Sequence, residues 1–572
     1  MRHVVLLLLT LPLLLRKVEL SFDHHHQRSL SFAERFFPLA ISAVLKRHFN
    51  HSHEALLINW ASNGSASSRQ QQQQDLLNDV IRWTNAELVV RFFHPRADVV
   101  RARFYNLLVV DGYSSFRKIY ETMDYKTYDS SGFYLIVITG EIYEDLNELL
   151  RWMFEDLWIL DIFNVNVLVV ASDGSILVYT FFPYREFHCE TVKPLLWLNF
   201  TGTIDMDDID LYPNRLRSFH GCPLKGGTFE AKPYTIIPKR GNASELVVSG
   251  FEGDLIDLLK QRLNFTVHYQ IAPNGSQWGF AREKGNSTGL MKLIQEELVD
   301  FGVGCLAFTY DRHVYLKPGI AHYTSLVLFA VSAGRPFTAF EKLFCPFSPT
   351  VWYLTVVYLA IGTVVIFGLQ FTSLRVRNFV YGSEQTAAYL NLLQIFFGGG
   401  IGRTPGRNFA RTLLLLWVIF CFVIRTLYQG SLYLYLQRSM SHAPLETMDD
   451  IHRSGIPYYM LEIGERYFNT MPHILERTTL VPPGKDSLGK TIERLGRGTI
   501  DGAVLIPLDQ AAYHNKIYPK REFVNVAKER VAVYPVGFYY PKKSGLTAVF
   551  DEQIRNIQST GLIDFWVRRY GD

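Results

Sequence analysis

Two long apolar stretches in the second half of the chain constrain its fold more than any other feature. The first covers residues 350–371 and lies in a segment without a charged residue between Lys342 and Arg375. The second covers residues 409–436 and carries Arg425 in its interior. Each is long enough, as a helix, to cross a hydrocarbon core about 30 Å thick. We therefore expect both stretches to span a membrane.

A shorter apolar element, residues 385–402, lies between the two spans. Its apolar core of about thirteen residues is too short to cross a bilayer. It ends in three consecutive glycines, Gly398, Gly399 and Gly400. Irregular backbone is tolerated at membrane depth where it lines a water-filled path, so this element is predicted to be a re-entrant pore loop. A flexible loop after an interfacial helix is the alternative.

Basic residues on both sides of this element predict the topology. Arg375 and Arg377 follow the first span, and Arg403, Arg407 and Arg411 come before or at the start of the second. Short basic loops favour the cytoplasmic side. The chain before residue 350 and the chain after residue 440 then face the same external solution, where two separate halves can form one domain.

The N-terminal half has the features of a secreted or external segment. Residues 1–20 combine a short basic start with an apolar run of signal-peptide length, although an uncleaved signal anchor is an alternative. Asparagine glycosylation motifs cluster before residue 300. They are Asn50, Asn63, Asn199, Asn242, Asn264, Asn274 and Asn286. The predicted location is the plasma membrane, as a multi-pass protein with both external halves outside the cell.

The five cysteines do not show a metal-binding spacing, so neither a metal nor a cofactor is predicted. The histidine tract 24–26 is interpreted as a polar patch. A disulfide such as Cys189 to Cys222 is compatible with an external location, but the sequence does not define the connectivity. The net charge of +4 is small for 572 residues and does not favour nucleic acid as a partner. Motifs typical of enzymes are also missing from the sequence.

Short strand-like and helical patterns alternate in both external halves. Residues 254–263 are predicted to be a helix and 265–269 a strand; after the spans, 456–461 and 502–506 are strand candidates, and 489–497 and 547–559 are helices. This alternation predicts an open α/β sheet in two lobes with a cleft. Residues 21–218 are interpreted as a small, divergent α/β domain, with the glutamine run 70–74 as a flexible insertion.

The order of these parts resembles the ionotropic glutamate receptor superfamily, and more closely the divergent ionotropic receptors of arthropod chemosensory neurons. The resemblance covers residues 219–572. Residues 229–237 and 251–267 look like the opening of the family's first lobe, residues 305–316 like its ligand-arginine segment, and residues 425–436 like its gate motif. It implies a periplasmic-binding-protein-like ligand domain, formed by residues 219–345 and 441–572, and an α-helical pore.

The resemblance also implies roles for particular residues. Arg312 matches the arginine that grips a ligand carboxylate, the alternative being an ordinary surface arginine. The glycines 398–400 match the narrow part of the pore, and Arg425, Tyr428, Gln429 and Gly430 match the gate. Arg425 is expected either to face the pore or another helix, or to extend to the outer interface.

Some family contacts with glutamate are absent from this sequence. Ala307 stands where the family has a threonine, and Pro507 stands where it has the acidic residue that holds the ligand ammonium. Asp509 lies nearby, but its spacing does not show that it substitutes. We therefore expect a small-molecule ligand other than glutamate.

The resemblance implies a ligand-gated, non-selective cation channel subunit that acts as a chemosensory receptor. Ligand would close the clamshell and so open the pore, and homologous co-receptor subunits would complete a heterotetramer in the lipid bilayer. The alternative is a non-conducting ligand-binding or escort subunit. It is favoured by the altered filter and by the lack of the family's final span after residue 441, which a truncated sequence would also explain.

Overall fold

The structure is a computed structural model that divides into two compact units. It describes residues 32–571 except 50–53, 64–66, 85–86, 95–101, 141–144, 201–209, 239–245, 276, 335–336, 383–386, 438–441, 443 and 520–521. The predicted signal peptide and the histidine tract lie outside the described residues. Unit 1 contains the chain up to Ser325 together with Pro483–Asp486 and Tyr534–Asp572, and unit 2 contains Leu326–Pro482 and Ser487–Val533.

A seven-stranded sheet forms the first layer of unit 1. Its strands, in chain order, are β1 (Leu56–Ala61), β2 (Val90–Phe92), β3 (Arg103–Val110), β4 (Tyr128–Ile138), β5 (Val165–Val170), β6 (Ile176–Thr180) and β7 (Leu195–Phe200). Their spatial order is β2-β1-β3-β4-β5-β6-β7. Pairing is parallel from β2 to β5 and antiparallel from β5 to β7.

Helices cover both faces of this sheet. Helices Phe32–Phe49 and Ser67–Thr84 cover one face, to which Leu107 and Val109 of β3 point. Helices Tyr113–Tyr120 and Leu146–Ile159 cover the other face, to which Leu108 and Val110 point. Burial on both faces explains why the central strands are almost continuously apolar.

The predicted flexible insertion at residues 70–74 is wrong, because these glutamines lie inside helix Ser67–Thr84. Glutamine is a good helix former, and this helix buries Leu77 and Val80 on one face. Gln73 is only 1% exposed, and its Nε2 donates to the Ala61 carbonyl at 3.3 Å. The run is therefore helical, and Gln73 packs against the sheet.

A second sheet segment in unit 1 has the spatial order β16-β10-β8-β9. The strands are β8 (Pro223–Thr228), β9 (Thr266–Ile271), β10 (Phe301–Gly302) and β16 (Ala532–Tyr540), the last of which begins in unit 2. The helices of this region are Phe251–Leu263, Gly289–Gln295, Tyr310–Tyr315, Leu546–Ser559 and Leu562–Gly571, with a 3-10 turn at Pro273–Gly275. The predicted helices 254–263 and 547–559 are confirmed, within three residues at their starts.

One hydrophobic core joins the two sheets of unit 1. Val165 and Phe154 from the first layer belong to the same buried cluster as Ile256, Phe301 and Phe538 from the second. The predicted disulfide between Cys189 and Cys222 is confirmed and connects the same two parts, with Cα atoms 5.5 Å apart.

Unit 2 contains a smaller sheet and the apolar helices. Its sheet has the order β13-β12-β14-β11, with β15 paired to β11. The strands are β11 (Lys317–Ser332, which begins in unit 1), β12 (Tyr458–Met460), β13 (Thr478–Leu480), β14 (Ala503–Pro507) and β15 (Val524–Val526). Unit 2 also contains three apolar helices and the 3-10 turn Glu462–Phe468. Its other helices are Ala339–Phe344, Leu374–Val380, Met448–Ser454, Pro472–Leu475, Ser487–Gly496 and Leu508–Ile517.

The two predicted spans are helices Pro349–Leu369 and Asn408–Gln437. Both are long and apolar enough to cross a membrane, judged by length and composition. The first begins where the Ser348 side chain accepts a hydrogen bond from the Val351 N–H, with proline at the first helical position. Between them lies a short apolar helix, Ala388–Phe396.

Candidate functional site

Arg312 is a buried residue of the first lobe in unit 1. It lies in helix Tyr310–Tyr315 and is 3% exposed, so it is not the surface arginine of the alternative interpretation. Its Nη1 donates to the Ala307 carbonyl at 2.9 Å, and its guanidinium carbon lies 6.0 Å from the centre of the Tyr539 ring. Burial and the hydrogen bond to a backbone carbonyl hold the side chain in one place. Its role in holding a ligand carboxylate stays a prediction.

A buried polar network lies elsewhere in the same lobe and was missed by the sequence analysis. Glu252 and His322 are both fully buried, and their carboxylate and ring nitrogen are 3.0 Å apart. The second oxygen of Glu252 accepts from the Cys305 N–H at 3.1 Å, and Trp278 donates to the Cys305 carbonyl at 2.8 Å. Glu252 and His322 are seventy positions apart, so local patterns give no signal for this pair.

Residues 483–486 of unit 1 form the second feature that was missed. Lys232 Nζ lies 2.9 Å from Asp486 Oδ2 and 3.2 Å from Glu230 Oε1. Partial burial opposes the charged form of Lys232, but its bonds to the two carboxylates outweigh this and raise its pKa above the usual value. A Cβ added at Gly275 would lie 2.7 Å from the Gly484 Cα, so this segment is packed closely against the 3-10 turn Pro273–Gly275.

Pro507 and Asp509, which stand at or near the family's ammonium-binding position, lie in unit 2. Pro507 immediately precedes helix Leu508–Ile517, and Asp509 in its first turn is 9% exposed. No ligand role is assigned to Asp509.

The glycines of the predicted pore loop end the short apolar helix. The Gly398 N–H donates to the Ile395 carbonyl, and the Gly399 N–H donates to the Gln394 carbonyl. Gly398 has a φ of +92°, and Gln394 Nε2 donates to the Gly400 carbonyl at 2.9 Å. This is the glycine-dependent helix end known as a Schellman motif. The carbonyl of Gly400 is thus positioned by a side chain of the helix itself.

Arg425 lies against this glycine turn. A Cβ added at Gly398 would fall 2.0 Å from Arg425 Nη1, so the guanidinium occupies the space beside the bare glycine backbone. Arg425, which belongs to helix Asn408–Gln437, therefore contacts the loop between the two apolar helices. The positive charge of Arg425 therefore lies beside the predicted filter.

The other predicted gate residues differ in their surroundings. The Tyr428 hydroxyl donates to the Leu343 carbonyl at 3.1 Å, and its ring packs near Phe347 and Trp352. Gln429 and Gly430 are exposed on the described chain. Tyr428 therefore links the second apolar helix to the segment that leads into the first.

Four of the predicted glycosylation sites are exposed. They are Asn63, Asn199, Asn264 and Asn286. Asn50 and Asn242 lie outside the described residues, and the side chain of Asn274 is likewise outside them. Glycosylation at these positions stays a prediction.

Matches to known proteins agree with this combination of an α/β ligand-binding domain and apolar helices. Residues 33–218 match the family model for the ionotropic receptor ligand-binding domain. Residues 224–324 match the model for the ligated ion channel L-glutamate- and glycine-binding site. The first model covers the region for which the sequence analysis assigned no ligand.

Among curated proteins, the chain is similar to ionotropic receptor 21a of Drosophila melanogaster, at 22% identity over 70% of this chain and 50% of that protein. It is also similar to the NMDA glutamate receptor subunit 1 of Drosophila persimilis, at 25% identity over 40% of this chain and 26% of that protein. The alignments thus span half or less of the length of these relatives. The chain belongs to the ionotropic receptor family of the ionotropic glutamate receptor superfamily.

Proposed function

We propose that this chain is a subunit of a ligand-gated cation channel that acts as a chemosensory receptor together with homologous subunits. The observation that carries the proposal is the short helix Ala388–Phe396, which ends in the glycine turn between two apolar helices. A segment matching a glutamate- and glycine-binding site precedes them in the chain. A ligand domain followed by such a loop is what a ligand-gated pore requires.

In this proposal the basic loops are cytoplasmic and both ligand-binding halves are external. A small ligand binds at Arg312 and closes the two lobes, which pulls on the linkers to the apolar helices. The segment around Tyr428 moves in response, because it is hydrogen bonded to Leu343 in the linker before the first helix. Carbonyl oxygens of the glycine turn line the narrow part of the path.

The contact between Arg425 and Gly398 favours a second candidate, a non-conducting ligand-binding or escort subunit. A guanidinium beside the filter repels cations, and by Coulomb's law it repels divalent ions twice as strongly as monovalent ions. The two candidates differ in whether ions pass Arg425.

Substitution of this residue separates the two candidates. The chain is expressed with a homologous channel subunit, and reversal potentials are measured with sodium and then calcium as the external cation. If the chain lines the pore, Arg425→Gln raises the relative permeability to calcium, whereas Arg375→Gln in the predicted cytoplasmic loop does not. If Arg425→Gln leaves both permeabilities unchanged while surface delivery is normal, the chain does not conduct and the escort function replaces the channel function.

A further inference from the structure

Unit 1 contains a cavity that is separate from Arg312. Its volume is about 390 Å³, and it is lined by side chains of the first sheet layer and of the first lobe. Binding sites for small molecules in proteins have volumes of roughly 300 to 1,000 Å³. The cavity is therefore large enough for a small organic ligand.

The lining of the cavity has an excess of negative charge. Four acidic and two basic side chains contribute to it: Asp161, Glu190, Glu297, Asp300, Lys225 and Lys543. Lys543 Nζ lies 2.8 Å from Glu297 Oε2 and donates to the Ile159 carbonyl at 2.8 Å. The Lys543 charge is thus matched by Glu297, and three carboxyl groups remain against Lys225.

Asp161 is a carboxyl group of this cavity without a polar partner among the described residues. It lies two residues after helix Leu146–Ile159, with a φ of +56°. Its carboxylate makes neither a hydrogen bond nor an ion pair with the described part of the chain. Burial raises the pKa of Asp161 to about 7; Lys543 opposes this shift, and the charges of Glu297 and Asp300 add to it. A further cation in the cavity would relieve this cost.

Aromatic and aliphatic groups form the rest of the wall. The rings of Trp158, Phe163 and Tyr184 line the cavity together with Leu216 and Leu546. Aromatic faces attract cations, and apolar walls bury the body of an amphipathic ligand. Carboxyl groups beside aromatic rings are the surroundings that suit an organic ammonium ion.

We propose that this cavity binds a small protonated organic amine, whose ammonium group pairs with Asp161 and Asp300 while its apolar part packs against Trp158 and Tyr184. Asp300 is already oriented, because its Oδ2 accepts a hydrogen bond from the Lys225 N–H at 2.7 Å. The site is independent of Arg312, whose positive charge suits a carboxylate, and its test does not depend on channel activity.

The test uses the full chain in lipid nanodiscs and isothermal titration calorimetry at about pH 8. The probes are 2-phenylethylamine, its neutral analogue 2-phenylethanol and the anion 3-phenylpropionate. The amine is expected to bind at least tenfold more tightly than the alcohol, and any binding of the anion should be unchanged in Asp161→Asn. Asp161→Asn, which keeps the side-chain shape, should weaken amine binding at least tenfold. Asp257→Asn is the matched control, because Asp257 is exposed and pairs with Lys260 on the outside of a helix.

The pH dependence of the unsubstituted chain provides a measurement that does not rely on a variant. Amine binding needs ionised Asp161, so affinity should fall as the pH is lowered from about 8 to about 6, by up to about tenfold per pH unit below the pKa. The other charged or titratable groups that face Asp161 are Glu190, Glu297, Asp300, Lys225, Lys317, Lys543 and Tyr184.

Three outcomes would overturn the proposal. The amine and the alcohol could bind equally, the amine could fail to bind at millimolar concentration, or its affinity could be the same at both pH values and in Asp161→Asn. Each result would mean that the charge of this cavity does not select a cation.

Discussion

At the scale of single residues, buried charges stand out in this molecule. Arg312 is held by the Ala307 carbonyl and faces Tyr539, while Glu252 pairs with His322 in the same lobe. Charged groups are costly to bury, and a protein retains them where they are paired or where they have a task. For Arg312 the proposed task is to hold the carboxylate of a ligand.

The role of Arg312 leads to a prediction for the ligand response. Arg312→Lys keeps the charge but loses the planar pair of donors, and each lost charge-assisted hydrogen bond costs about 1.5 to 3 kcal/mol. We expect at least a tenfold loss of potency for short-chain carboxylic acids, measured as currents from co-expressed subunits and normalised to surface protein. Arg262→Lys is the control, because Arg262 is exposed and bonds to Gln553 at 3.4 Å. Equal potency in both variants would remove Arg312 from the site.

At the scale of elements, the short helix Ala388–Phe396 depends on how it ends. Gly398 adopts a left-handed conformation that costs other residues about 1 to 2 kcal/mol, and its missing side chain leaves room for Arg425. Gly400 has free space around its Cα, since a Cβ placed there would meet no described atom within 4 Å. Gly398 and Gly400 therefore have different requirements.

This difference predicts unequal effects of the same substitution. Gly398→Ala should abolish or strongly reduce ligand-evoked current, because the added methyl group both strains the turn and displaces Arg425. Gly400→Ala should retain most of the current. Whole-cell current per unit of surface protein measures both. A Gly398→Ala channel that conducts normally would show that the turn does not position the conducting path.

At the scale of the whole molecule, unit 1 joins two regions that the sequence analysis treated separately. Residues 21–218 are predicted to form a domain, and within unit 1 Val165 of this region shares a hydrophobic cluster with Phe301 of the first lobe. The disulfide Cys189–Cys222 links the same regions. The stability of the first lobe should therefore depend on the N-terminal region.

Removal of the disulfide tests this dependence. Cross-linking cysteines 33 positions apart stabilises a protein by about 3 to 4 kcal/mol in the chain-entropy model. The double variant Cys189→Ser, Cys222→Ser should lower the midpoint of thermal unfolding by several degrees and reduce delivery to the cell surface. Cys345→Ser, which removes a free cysteine, should change neither. An unchanged unfolding midpoint would mean that the shared apolar core suffices to join the two regions.

Local sequence patterns predicted the elements better than the places where they meet. The spans at 350–371 and 409–436 correspond to helices Pro349–Leu369 and Asn408–Gln437, since long apolar runs leave few alternatives. The glutamine run 70–74 has a composition that predicts flexibility, but it is helical because glutamine is a good helix former and the surrounding helix buries one face.

The sequence by itself determined the two apolar helices, the glycine end of the short helix between them, and the alternation of strands and helices. Each of these depends on neighbours within about twenty residues, so periodicity and length reveal them. Only the tertiary structure decided that residues 534–572 pack in unit 1, that Glu252 meets His322, and that Asp161 and Asp300 line one cavity. These contacts join positions far apart in the chain, where burial and packing, rather than local preference, select the partner.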